Sequence, residues 1–162
     1  MSSPLAYFIT FHTYGSWLHG RTAGSVDWRH NIYGTPVLPP DPQREDVARE
    51  RQVTDAVTLA EPMRFLTDQT LREVCLYRDW TLHALHVRTN HVHAVVTAQA
   101  TPEKVMSDFK AYATRKLRQA GSVPPRGKVW SEHGSTRYLW TEEQVAEKVH
   151  YTLYEQGTPL EP

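Results

Sequence analysis

Two alternating runs, TLHALHV (81–87) and HVHAVVTA (91–98), are separated by only Arg88, Thr89 and Asn90. Period-two alternation describes strands, and so short a gap joins two strands only as an antiparallel hairpin. Asn90 suits the turn because asparagine tolerates positive φ. No other feature narrows the fold as far, because every remaining element must be placed around this hairpin.

The flanks supply those elements. AYFITFHTY (6–14) alternates and is rich in aromatic and β-branched residues, so it reads as a first strand. A helix is expected over Thr67–Arg78, with Leu71, Val74, Cys75 and the neighbouring Leu76 on or beside one stripe. TPEKVMSDFKAYATRKLRQAG (101–121) reads as a second helix, with Thr101 as N-cap, Pro102 in the first turn and Gly121 at the end. Its stripe runs Val105, Phe109, Ala113, Leu117, with Tyr112 beside it. STRYLW (135–140) is the last strand. TEEQVAEKVHYTLYEQG (141–157) is a final helix opened by a Thr141–Gln144 capping box and stopped by Gly157. The order β, α, β, β, α, β, α predicts an α+β fold: a split βαβ, ferredoxin-like sandwich with an antiparallel sheet and an added C-terminal helix carrying a tyrosine. Residues 1–162 read as one domain with a long loop insertion over about 15–62.

In the second strand of the hairpin, Val92, Ala94 and Val96 share one face and His91, His93 and Val95 the other. The first set is a core face. The second projects two imidazoles together, as metal ligands are commonly offered. With nine histidines in the chain, a His-x-His pair carries weight only with partners. His83 and His86, on the preceding strand, fall on opposite faces by the same alternation and read as structural or surface residues.

The final helix offers a partner. With Val149 at the centre of its apolar stripe and Val145 and Leu153 one turn away, Tyr151 lies nearly opposite, beside Glu147, Gln144 and Glu155. Tyr151 and Glu155 are spaced i, i+4 and rise from one patch of helix surface. Tyr112 reads as core, whereas Tyr154 also lies off the apolar stripe.

Charge and composition exclude several classes. Formal net charge is zero, which argues against a simple polycationic nucleic-acid binder. The charges are segregated, however: Lys104, Lys110, Arg115, Lys116, Arg118, Arg126 and Lys128 crowd residues 101–130 against Glu103 and Asp108. Such a segment suits local phosphate contact, and equally a solvated helix face. Cys75 is the single cysteine, so neither an internal disulfide nor a thiolate zinc site is expected. The start, MSSPLAYF, lacks the plan of a secretory signal, and no apolar run is long enough for a membrane span. A cytoplasmic protein is expected.

With these motifs in order, the chain resembles the single-tyrosine HUH-endonuclease transposases, in particular the REP-associated tyrosine transposase branch. The resemblance runs from YFITFHTYGSWLHG to VHYTLYEQG. It rests on Asn90-His91-Val92-His93, a following helix, the segment VWSEHGSTRYLW and the tyrosine-bearing last helix. It implies that His91 and His93 hold a divalent metal, Mg²⁺ or Mn²⁺, and that Tyr151 attacks a phosphate of single-stranded DNA to leave a 5′-phosphotyrosine and a free 3′-OH. The third ligand of the family falls at Glu155, with Gln156 as the alternative because EQGTP stands where the family often has Asn-Pro. The implied partner is single-stranded DNA with hairpin or repeat sequences, bound by a monomer or homodimer in a bacterial-type cytoplasm, nucleoid-associated when on DNA.

Candidate DNA contacts are Arg115, Lys116, Arg118, Arg126 and Lys128, with Arg21, Trp28 and Arg29 in the long insertion. Two other readings use the same residues: a domesticated hairpin-binding protein that does not cut, and a metal-dependent phosphodiesterase without a covalent tyrosine step.

Overall fold

The computed structural model describes residues 3–16 and 56–155. Strand β1 (Ala6–Thr13) is followed by α1 (Glu61–Arg78), the hairpin β2 (Thr81–Val87) and β3 (His91–Thr97), then α2 (Pro102–Gln119), β4 (Trp130–Leu139) and α3 (Glu142–Tyr154). The sheet order is β2-β3-β1-β4, with every neighbouring pair antiparallel. β3 is thus inserted between β1 and β2, which is the split βαβ topology the element order predicts.

Helices α1 and α2 cover one face. There Ile9, Phe11, Val87, Val92, Ala94 and Val96 meet Leu71, Val105, Phe109, Ala113 and Leu117, all fully buried. Each of the larger side chains contributes about 1.5–3 kcal/mol by leaving water, and this face holds the larger of the two buried clusters. The opposite face carries a smaller cluster of Ala6, Phe8, Ala84, Val95 and Leu139, with α3 laid over part of it.

The helix boundaries follow local chemistry. The Thr101 side chain accepts from the Lys104 N–H at 3.2 Å. At the other end of α2, Gly121 takes φ +72°, and the Ser122 and Gly121 N–H groups donate to the Leu117 and Arg118 carbonyls. That is a Schellman closure, which needs the left-handed conformation glycine adopts without penalty. In α3, Thr141 accepts from the Gln144 N–H at 3.1 Å, and Gln144 Oε1 accepts from the Trp140 N–H at 2.7 Å. This reciprocal pair is the expected capping box, reaching back one residue further than usual.

Three boundaries differ from expectation. α1 begins at Glu61, six residues before Thr67, because Pro62 is tolerated in a first turn. β4 begins at Trp130, five residues before Ser135; its polar start shows no alternation but pairs with the end of β1 through an irregularity between Phe11 and Thr13. Gly134 permits that pairing, since a Cβ there would lie 2.5 Å from the Thr10 carbonyl oxygen. α3 ends at Tyr154, three residues before Gly157.

Candidate functional site

The strand alternation sends His91 and His93 away from the helical core, onto the face that α3 partly covers. Their rings lie edge to face, centroids 4.8 Å apart. Strand pairing then adds side chains that the linear sequence does not connect. In β1, His12 stands opposite His91 and Thr10 opposite His93; in β2, His86 stands opposite His93. The His12 and His91 rings are 5.5 Å apart.

Each ring is oriented by a polar neighbour. His91 Nδ1 lies 2.7 Å from Asn90 Oδ1. An amide oxygen only accepts, so Nδ1 carries the proton and the neutral ring presents its lone pair at Nε2. His93 Nδ1 lies 2.8 Å from Thr10 Oγ1. Orientation of a histidine through its second nitrogen is the usual arrangement around a bound metal. Burial, with the Lys110 ammonium as the lesser cause, pushes the His12 imidazole below its ordinary pKa, which favours the neutral ring beside His91.

Helix α3 brings Tyr151 to this cluster. Its ring stands edge-on to His93 at 5.9 Å and to Phe8 at 6.0 Å. Phe8 in turn lies parallel to His93, at 5.6 Å and an interplanar angle of 5°. The Lys148 ammonium sits 5.1 Å from both the Phe8 and the Tyr151 ring centroids. Tyr154 turns away, 69% exposed and against His150, and Tyr112 packs against the core on the far side of the sheet.

The rotation of α3 corrects the sequence-based face. Its most buried residue is Thr152, at 0% exposure, whereas Val145 and Val149 are half-buried. Thr152 lies about 60° around the helix from Val149. Its carbonyl is 3.0 Å from His86 Nδ1, which therefore donates to it. This turn brings Tyr151 to the flank of the helix–sheet contact, so the ring packs on Phe8 and is not isolated on a polar face. His83 also departs from expectation. A bulge between Leu82 and Ala84 lets its Nε2 reach Thr97 Oγ1 at 2.7 Å, on the same face as His86.

The pair His91–His93 fits two positions of a metal shell by its donor chemistry and orientation. Among the described residues, no three His, Cys, Asp or Glu side chains form a set that could hold a metal, so Glu155 is not gathered with the pair. Glu155 is exposed just beyond α3, its N–H donating to the Tyr151 carbonyl at 3.1 Å. Gln156 lies outside the described residues, as do Arg21, Trp28 and Arg29.

The other candidate DNA contacts divide. A groove of about 860 Å³ between α2 and residues 127–132 is lined by Lys110, Arg115, Arg118 and Lys128, with Glu132 as the acidic member. Two of the cations are engaged in building it. Arg118 donates to the Pro124 and Gly127 carbonyls, and Lys110 to the Ser131 carbonyl. Arg115 lies over the Tyr112 ring, and Arg115 and Lys128 are exposed. Lys116 and Arg126 are exposed outside the lining.

Phe8, Thr10, His12 and Lys148 were not singled out by the sequence, and His86 read only as a structural or surface residue. The alternation of FITFHT does place Phe8, Thr10 and His12 on one face, but only the pairing of β1 beside β3 sets that face next to the histidines.

A family model described as IS200-like transposase matches residues 51–154. Among solved structures, a candidate transposase from Deinococcus radiodurans R1 is similar at 16% identity and a TM-score of 0.51, over 93% of this chain and 90% of that one. A REP-associated tyrosine transposase bound to a REP hairpin is similar at 10% identity and a TM-score of 0.50, over 96% of this chain and 70% of that one. At such identities the two structures speak for the fold. No curated protein matches.

Proposed function

The chain belongs to the IS200-like transposase family, and on that premise we propose that it cleaves and rejoins single-stranded DNA at hairpin-bearing sites through a covalent bond to Tyr151. One observation carries this reading: Tyr151 stands 5.9 Å, ring to ring, from His93, although one rides on α3 and the other on β3, with α2 and β4 between them in the chain. Hairpin binding alone would require neither residue.

In the proposed reaction the Tyr151 Oη forms a bond to phosphorus while the bond from phosphorus to the 3′ oxygen breaks. The phenol proton is lost and the 3′ oxygen gains one, so the products are a 5′-phosphotyrosine and a 3′-OH. The phosphoryl bond is conserved in the enzyme, and attack by a 3′-OH reverses the step and joins strands. His91 and His93 would hold a divalent ion, Mg²⁺ or Mn²⁺; Glu155, which stands apart from the pair in this structure, would have to approach it to serve as the further ligand, with Gln156 as the alternative. The ion would supply Lewis-acid polarisation of a phosphate oxygen. Thr10 and Asn90 keep the two imidazoles turned toward that task. Phe8 excludes water from one side of His93 and supports the tyrosine ring. The exposed Arg115 and Lys128 would meet DNA phosphates along the groove, with Lys116 and Arg126 beside it; Arg118 shapes that groove through its bonds to the loop.

The test uses labelled single-stranded DNA carrying a hairpin, incubated with the protein and Mg²⁺ or Mn²⁺. An SDS-resistant protein–DNA adduct is expected, and it should vanish in Tyr151→Phe. Cleavage with no adduct would instead indicate a phosphodiesterase, and retention without cleavage a binding module. An adduct that survives Tyr151→Phe and disappears in Tyr154→Phe would move the nucleophile to Tyr154.

A further inference from the structure

Lys148 is used by nothing described above. It lies one turn before Tyr151 on α3 and is half-buried. Its ammonium stands 5.1 Å from the Phe8 centroid and 5.1 Å from the Tyr151 centroid, while both of those rings contact His93. A lysine elsewhere on such a helix extends into water, where its hydration is best. Here the cation is held against the two rings that flank His93, and it makes no salt bridge with a carboxylate among the described residues.

We propose that Lys148 is a charge-bearing positioning residue of the strand-cleavage site: it clamps the Tyr151 ring against Phe8 and counters the negative charge that accumulates on the attacked phosphodiester. This rests on the proposed tyrosine chemistry. Two physical arguments support it. A cation over two aromatic faces gains attraction from both ring quadrupoles, and that attraction is strongest when partly desolvated. It therefore restrains the tyrosine ring relative to β1, and a restrained nucleophile loses less freedom on reaching the phosphorus. Second, a phosphodiester carries one negative charge and gains more as the phenol oxygen adds. A cation already in place stabilises that change without reorganisation. Beside the divalent ion that His91 and His93 would hold, the lysine adds a cationic side chain on the Tyr151 side of the cluster.

The experiment measures the single-turnover rate of adduct formation, DNA affinity and melting temperature for the full chain and for Lys148→Met, Lys148→Gln and Lys148→Arg. Lys148→Met should lower the adduct rate about 100-fold, with DNA affinity within about threefold and the melting temperature little changed. Lys148→Arg should recover at least tenfold of that loss, which a merely space-filling role would not produce. A Met variant within about twofold of the natural rate overturns the proposal. So do Gln and Arg variants of equal rate, a comparison that decides the matter if the Met variant does not fold. If the natural protein forms no adduct, the tyrosine reading fails first and takes this assignment with it; an active natural protein with an indifferent Lys148 leaves that reading standing.

Discussion

Phe8 lies flat against His93, the two rings 5.6 Å apart at an interplanar angle of 5°. They come from adjacent strands, and the same phenyl ring meets Tyr151 edge-on. One apolar side chain therefore fixes both the histidine plane and the tyrosine ring. Phe8→Leu keeps most of the volume and removes the stacking surface. Its adduct rate should fall about tenfold or more, the scale expected when reacting groups lose orientation, while the melting temperature drops by only a few degrees. Phe8→Ala should cost about 3–5 kcal/mol of stability. A Leu variant that cleaves at the natural rate would show that the stack does not orient the site.

Metal affinity can be measured apart from activity. His91→Ala or His93→Ala should each weaken Mn²⁺ binding about 100-fold, read by electron paramagnetic resonance titration. Thr10→Val, which removes the hydroxyl 2.8 Å from His93 Nδ1, should cost about tenfold as an orienting contact. Glu155→Ala should also cost about tenfold. An unchanged affinity in that variant would remove Glu155 from the ligand set.

The groove beside α2 calls for a salt titration. Replacing Arg115 and Lys128 together by Gln should weaken binding of single-stranded DNA and flatten the dependence of log affinity on log salt by about 1.4, from roughly 0.7 per phosphate lost. The adduct rate at saturating DNA should stay near the natural value. A slope identical to that of the natural protein would place the strand elsewhere.

Cys75 sits on the buried face of α1, and burial pushes its thiol up to about 11. The folded state thus disfavours the thiolate that the unfolded chain forms above pH 9. Stability from this group is complete below that pH and is lost as pH rises toward 11, by up to about 3 kcal/mol. Chemical denaturation at pH 8 and pH 10.5 should show a smaller alkaline decline in Cys75→Ala than in the natural chain. In the native protein the thiol should resist Ellman's reagent and react once denatured. Rapid native labelling would contradict the burial of this residue.

Much of the fold was legible because it depends on local periods. The hairpin from Thr81 to Thr97, the caps at Thr101 and Thr141 and the stripe from Val105 to Leu117 all arise from interactions within a few residues. β4 was read short because the run Ser131–Gly134 is polar or lacks a side chain, and is made a strand by its partner rather than by its own pattern.

The site divides along the same line. Alternation within β3 determined that His91 and His93 share a face and leave the core to Val92, Ala94 and Val96. The sequence by itself also determined that Tyr151 rides on a capped final helix. It could not set the rotation of that helix on the sheet, because a 3.6-residue period assigns a stripe without naming what lies beneath it. The bond from His86 to the Thr152 carbonyl and the contacts of Tyr151 with Phe8 belong to that docking. Nor could it set His12 and Thr10 beside the histidine pair, since strand neighbours far apart in the chain are chosen by the burial of whole faces. Tertiary structure alone decided which imidazoles gather, how Tyr151 meets them and where the charge of Lys148 comes to rest.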